Sequence, residues 1–254
     1  LVDSKRIDAS FLAAIRSFAI NGQASFIFAG TYDMRKLIED PSYGITGQFV
    51  NAIETRVSRI GRDPAIELIQ VMEPRLHFTQ DAIEHILRLS YQIPYFIQIL
   101  CKNCAIYAVQ SGRSIIGFPE VEAVTQTLTG ENVPDPYLKG VSRIAPGAFM
   151  NNMYTPTDPV EFDALISTIC DLTRNQLYPR MVTYPAIQEV WHRYGVRAFQ
   201  ARLAQAIQEL TDREVLIAGE DEGIPAYRIS VDLFRRWWAN EHRHLELELD
   251  AIMA

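Results

Sequence analysis

Val215-Leu216-Ile217-Ala218-Gly219-Glu220-Asp221-Glu222-Gly223-Ile224-Pro225-Ala226-Tyr227-Arg228-Ile229 is the stretch whose reading decides the fold. Two short runs of β-favouring residues, Val215-Leu216-Ile217 and Ala226-Tyr227-Arg228-Ile229, flank a turn expected at Gly219–Gly223, which is the pattern of a two-stranded hairpin. On its C-terminal side Leu233, Phe234, Trp237 and Trp238 recur at helical spacing, so a helix follows.

On its N-terminal side three helices are expected. Val160 to Leu172 places Phe162, Leu165, Ile166 and Ile169 on one face. Tyr184 to Tyr194 has Pro185 in its first turn and Gly195 at its end. Phe199 to Leu210 keeps Phe199, Leu203, Ala206, Ile207 and Leu210 in phase. Three helices followed by a hairpin is the order of a winged helix-turn-helix, assigned to residues 158–245, with an acidic tail at 246–254.

Further upstream, 129–157 carries four prolines (Pro134, Pro136, Pro146, Pro156) and no long periodic stripe, and is expected to be a linker with a turn of helix at most. Residues 63–128 read as four helices: Ala65 to Met72, Gln80 to Leu89 with Thr79 as N-cap, Ile93-Pro94-Tyr95 to about Gln110, and Phe118 to Leu128. Residues 1–62 contain one amphipathic helix, Asp8 to Asn21. The apolar run Ser25-Phe26-Ile27-Phe28-Ala29, ending at Gly30-Thr31, then suggests a strand buried on both faces of a parallel sheet. One strand makes no sheet, so its partners are expected upstream of Leu1 or in another chain. The fold class is therefore mainly α: the remnant of an α/β core, a helical lid bundle and a winged helix.

The 254 residues carry 24 basic and 31 acidic side chains, a net charge of −7, and are 48% hydrophobic. That suits a buried core and argues against a non-specific nucleic-acid or anionic-membrane binder, whose affinity comes from basic charge. Three cysteines are too few for a disulfide framework, and no stretch approaches the ~20 apolar residues of a membrane span, so a cytoplasmic location is expected.

Candidate chemistry is sparse. Neither GxxxxGK[ST] nor GxGxxG is present, so these residues do not complete a nucleotide site. Thr31 stands at a strand end, where ligands of open α/β sheets gather; its hydroxyl suits either orienting water or a γ-phosphate, or capping a helix at 33–38. Arg56, Arg59 and Arg62 offer guanidinium groups fit for phosphate, or simply form a solvated basic loop. Cys101 and Cys104 form a CxxC inside a helical stripe with no second ligand pair, which reads as packing rather than metal binding. The third helix of the winged module and its flank, 199–214, hold two arginines against three carboxylates, and the wing tip Glu220-Asp221-Glu222 would repel phosphate. This winged helix is expected to meet protein, with DNA disfavoured.

The run Phe26 to Thr31, the arginine-bearing loop, Ser90-Tyr91-Gln92-Ile93-Pro94-Tyr95-Phe96-Ile97-Gln98-Ile99-Leu100-Cys101 and Leu233-Phe234-Arg235-Arg236-Trp237-Trp238 together resemble the STAND and archaeal-type branch of P-loop ATPases, relatives of AAA+ and origin-recognition ATPases. The resemblance implies that Thr31 matches sensor 1 and that Arg56 or Arg59 matches the arginine region after the last core strand. It also places Pro94 near adenine, with Tyr95 and Gln98 beside it. Gln92 stands where that family has its lid glycine. The Walker A and Walker B parts would precede residue 1. The function so implied is an ATP-dependent regulatory switch, binding ATP or ADP with Mg and working through self-association or protein partners in signalling or anti-phage defence. The alternatives are a winged-helix DNA-binding protein related to origin-recognition ATPases, and a non-catalytic interaction scaffold.

Overall fold

A computed structural model describes residues 9–27, 38, 59–71, 75–131, 133–150, 153–155, 158–194 and 200–242. The chain divides into two compact units, Leu1–Val57 and Ser58–Ala254. Among the described residues of the first, α1 (Ala9–Ile20) forms as its periodicity requires and buries Leu12. Of the strand expected from residue 25, only Ser25 to Ile27 lie within the described residues, and its partners were expected outside this sequence. Ser25 to Ile27 enter no ladder, Phe26 is 42% exposed and Ile27 97%. An apolar run becomes a buried strand only when neighbours supply hydrogen bonds on both edges, and no described segment does so.

In the second unit the four expected helices are α2 (Arg62–Gln70), α3 (Gln80–Ser90), α4 (Pro94–Ser111) and α5 (Phe118–Leu128). Their ends follow local chemistry. Pro94 opens α4, where a missing N–H costs nothing, and Gly112 closes it at φ 68°, donating to the Ala108 carbonyl. Glu120 folds back to accept from the Gly117 N–H at 2.9 Å at the head of α5. Thr79 holds the N-cap position of α3, but its hydroxyl turns to Asp81 and the Ile116 carbonyl instead. Two parallel two-residue strands, β1 (His77–Phe78) and β2 (Ile115–Ile116), tie the starts of α3 and α5 together.

The segment expected as a linker is threaded into the interior. It forms 3₁₀ turns at Pro136–Leu138 and Pro146–Ala148 and buries Leu138, Val141, Ile144, Phe149 and Met153. Next come α6 (Val160–Leu172), β3 (Val182–Thr183), α7 (Tyr184–Arg193), α8 (Gln200–Asp212), β4 (Leu216–Asp221), β5 (Ile224–Ile229) and α9 (Asp232–Glu241). The antiparallel sheet has the order β3-β5-β4, pairing Val182 with Tyr227 and Leu216 with Ile229. This is a winged helix-turn-helix arrangement. The hairpin is longer than expected, because β4 runs through Gly219 to Asp221. Only Glu222 and Gly223, at φ 51° and 78°, make the turn. Positive φ at both central residues matches the right-handed twist of the flanking strands.

Helices 62–128 and 160–241 share one core. Its centre is aromatic: Phe149 lies 5.3 Å from Phe96 of the bundle, 5.2 Å from Phe234 and 5.0 Å from Trp237 of α9. Trp238 Nε1 donates to Ser167 Oγ at 2.8 Å and Trp191 Nε1 to Thr168 Oγ1 at 3.0 Å, so two large rings are buried without stranding a donor.

Candidate functional site

The α3–α4 turn gathers the sequence candidates that fall within the described residues. Arg88, Leu89 and Ser90 end α3, and the chain then passes through two consecutive left-handed residues, Tyr91 (φ 51°) and Gln92 (φ 60°). That conformation is natural for glycine and costs other residues roughly 1 kcal/mol. It holds here because Ile60 N–H donates to the Gln92 carbonyl at 3.1 Å, Gln92 N–H donates to Ser90 Oγ at 3.2 Å, and Ile93 N–H donates to the Ser90 carbonyl. The first of these bonds draws segment 59–60 onto the turn, where the Arg59 guanidinium sits 4.7 Å from the Tyr91 ring centroid. Ser90 itself is fully buried.

Pro94, Tyr95 and Gln98 follow on the head of α4. Tyr95 is half exposed, Gln98 exposed and Pro94 partly so, while Phe96 and Ile97 are buried and anchor the helix. Spacings of three and four put Tyr95 and Pro94 on the same side as Gln98. That face carries a flat ring, a proline and an amide, with Tyr91 and Arg59 on the turn before it. Its helix start is poor in free donors, because Pro94 has none and Phe96 N–H is committed to the Ile93 carbonyl. Such chemistry fits a flat, hydrogen-bonding base better than it fits a phosphate, with Arg59 on the adjoining turn able to answer anionic charge. Thr31 and Arg56 lie outside the described residues. Arg62, the third arginine of the loop, pairs instead with Glu84 of α3.

Two arginines of the winged helix, Arg202 and Arg213, are already engaged. Arg202 on α8 pairs with Glu161 of α6 at 2.8 Å. Arg213 is almost wholly buried, paired with Asp158 at 2.9 Å and lying over Phe162. The outward residues of α8 include Gln205 and Gln208, which bond Glu209 and Asp212, and the wing tip Glu220-Asp221-Glu222 is exposed. A nucleic-acid reader needs cations to hold phosphates, and this face presents carboxylates and amides.

The cysteines carry no chemistry of their own. All three are buried and free; burial pushes the Cys101 and Cys170 thiols up to about 12 and Cys104 well above its ordinary value. Among the described residues no group of His, Cys, Asp and Glu is arranged to hold a metal ion, and no helix is long and apolar enough to cross a membrane.

One constellation was not anticipated from the sequence: the buried charges Asp232, Arg235, Arg236, Glu122 and His85. Arg235 Nε donates to Asp232 Oδ1 at 2.5 Å, and its other nitrogens donate to the Thr173 and Gln176 carbonyls at 2.8 and 3.0 Å. Arg236 donates to Asp232 Oδ2 at 2.9 Å and reaches Glu122 Oε1 on α5 at 2.7 Å. The second Glu122 oxygen lies 2.8 Å from His85 Nε2 on α3. Burial alone would raise the Glu122 carboxyl, but the His85 hydrogen bond and the Arg236 charge outweigh it and hold it below the usual range. Burial likewise opposes the Arg236 charge, and Asp232 and Glu122 more than restore it. The only sequence hint was the adjacent pair Arg235-Arg236 set between the apolar pairs Leu233-Phe234 and Trp237-Trp238.

No protein-family model matches the chain, and no curated protein matches it. Among solved structures it is similar to Cdc6p from Pyrobaculum aerophilum, at 14% identity and a TM-score of 0.38, covering 86% of this chain and 56% of that one. The chain thus spans little more than half the length of that structure, and a likeness at this level decides neither fold nor function.

Proposed function

We propose that residues 58–242 form the lid and winged-helix end of an ATP-dependent regulatory switch of the STAND and AAA+-related kind, acting through protein contacts. The observation that carries this reading is the α3–α4 turn. Arg59 and Tyr91 at the turn, and Pro94, Tyr95 and Gln98 on the head of α4, are side chains suited to a nucleotide base and its phosphates, in the unit whose core includes the winged helix. Pro94 and Tyr95 would pack against an adenine face, Gln98 would bond its edge, and Arg59 would answer the phosphates. ATP with Mg would supply a triphosphate charge that changes on hydrolysis or exchange. Because bundle and winged helix share one core, a nucleotide-driven shift at the turn would carry the whole unit with it rather than bend it internally. The engaged arginines and acidic wing favour a protein partner, or another copy of the chain, as the receiver of that motion.

The test is titration of the full-length protein with a fluorescent ATP analogue. Arg59→Ala and Tyr95→Ala are each expected to weaken binding by roughly tenfold, the loss of one charged or stacking contact. Binding unchanged in both variants overturns the reading. Tight duplex-DNA binding that falls steeply with salt would instead favour the origin-recognition alternative.

A further inference from the structure

The wing leaves one strand edge open. In the order β3-β5-β4, β5 is paired on both sides and β4 is the outer strand. Its register with β5 runs one to one from Leu216–Ile229 to Asp221–Ile224, without a bulge. Closure by the tight turn at Glu222-Gly223 makes Asp221–Ile224 a hydrogen-bonded pair and Gly219–Ala226 the next. Ala218 and Glu220 therefore turn their N–H and C=O groups away from β5. Pro225, opposite Glu220, fits that alternation, because its position asks for no N–H toward β4. Among the described residues nothing pairs with the outward groups, and Ala218 to Glu222 are all exposed.

Natural edge strands are guarded against stray pairing by lysine, proline, a bulge or a covering element. Among the described residues β4 has none of these along Ala218–Asp221, and Ala218 and Gly219 are small enough to leave the backbone within reach. What it carries is charge of one sign. Glu220, Asp221 and Glu222 are exposed, and no cation pairs with them among the described residues. Successive side chains of a strand point to opposite faces, so Glu220 and Asp221 set one carboxylate on each face of the edge. Cross-strand neighbours share a face, where opposite charges attract and like charges repel. A second copy's β4 would set Glu220 opposite or diagonal to its own counterpart. An apolar strand would crowd both carboxylates without answering them. A strand with two adjacent cations meets both.

We propose that the open edge of β4 at Ala218–Glu220 takes an extended segment of a partner protein as an added strand, the segment carrying adjacent basic residues against Glu220 and Asp221. Backbone hydrogen bonds supply the attachment, and the two carboxylates supply the choice of partner. The inference rests on the reading of the winged helix as a protein-binding module and makes no use of the nucleotide surface.

The experiment is fluorescence anisotropy of the full chain, without nucleotide, against a labelled peptide of alternating Thr and Val around a Lys-Lys pair. Exchanging that pair for Glu-Glu, or introducing Glu220→Lys with Asp221→Lys, is expected to weaken binding about tenfold. The doubly substituted chain should in turn bind the Glu-Glu peptide. Ala218→Pro keeps every charge and removes one outward N–H, and should also cost about tenfold. Should that variant fail to fold, the peptide itself decides. N-methylation of alternate residues blocks one of its two edges, so of the two methylated forms one should bind as the parent does and the other should not. No binding of the Lys-Lys peptide, equal binding of both charge forms, or parent-like binding of both methylated forms overturns the added strand. Any of these alongside weakened ATP-analogue binding in Arg59→Ala strikes the edge alone. Displacement of the peptide by duplex DNA overturns the edge and the protein-partner reading together.

Discussion

Gln92 shows how one residue type and one backbone angle pull against each other. The turn needs a left-handed residue, glycine would supply it without strain, and the sequence supplies glutamine. Three backbone hydrogen bonds around Ser90 and Ile60 hold the conformation in place. Gln92→Gly is therefore expected to be no less stable than the wild type, strain relief offsetting the greater freedom of the unfolded chain. Gln92→Val, β-branched at positive φ, should lose about 1–2 kcal/mol. Urea unfolding of the two variants checks both signs; a valine variant as stable as the glycine one would show that the turn relaxes. Residue order alone could not say that glutamine would adopt a left-handed angle here.

At the scale of elements, the wing is the clearest case of local chemistry writing structure. Glu222 and Gly223 occupy a turn in which both residues have positive φ, a geometry that prefers Asn-Gly. Glu222→Asn is expected to raise stability by about 0.5 kcal/mol and Gly223→Ala to lower it by about 1 kcal/mol, read from thermal midpoints. If Gly223→Ala leaves the midpoint unchanged, the hairpin does not need that turn. The helices were legible because each carries an apolar stripe and a stop signal of its own, and α6 and α5 begin and end at the expected residues. The two-residue strands β1, β2 and β3 were not, since a period of two cannot show in two residues.

Across the whole molecule, stability should depend on acid in a direction set by its paired carboxylates. Glu122 is held below the usual range despite burial, Asp81 is lowered by the Thr79 hydroxyl, and Glu84 by Arg62. A folded-state value depressed below the unfolded one gives stability that is complete above the unfolded value, near 4, and lost as pH falls through the folded value. The urea midpoint is expected to fall between about pH 4.5 and 3. Glu122→Gln should start about 2 kcal/mol less stable at pH 7 and lose less on acidification, because one contributor has already gone. An unchanged acid slope in that variant would mean the bridge does not hold the two halves together.

What the sequence determined by itself was whatever depends on neighbours along the chain: helix faces, caps, the hairpin, the acid character of the wing, and hence a mainly helical chain ending in a winged module. The tertiary structure alone decided that Leu138, Val141, Ile144, Phe149 and Met153 are packed rather than loose, and that Arg213 and Arg236 are spent on Asp158 and Glu122. The reason is separation. Periodicity acts over three or four residues, whereas Arg236 meets a carboxylate 114 positions away, and nothing in a linear pattern records which distant charge a folded chain will bury beside it.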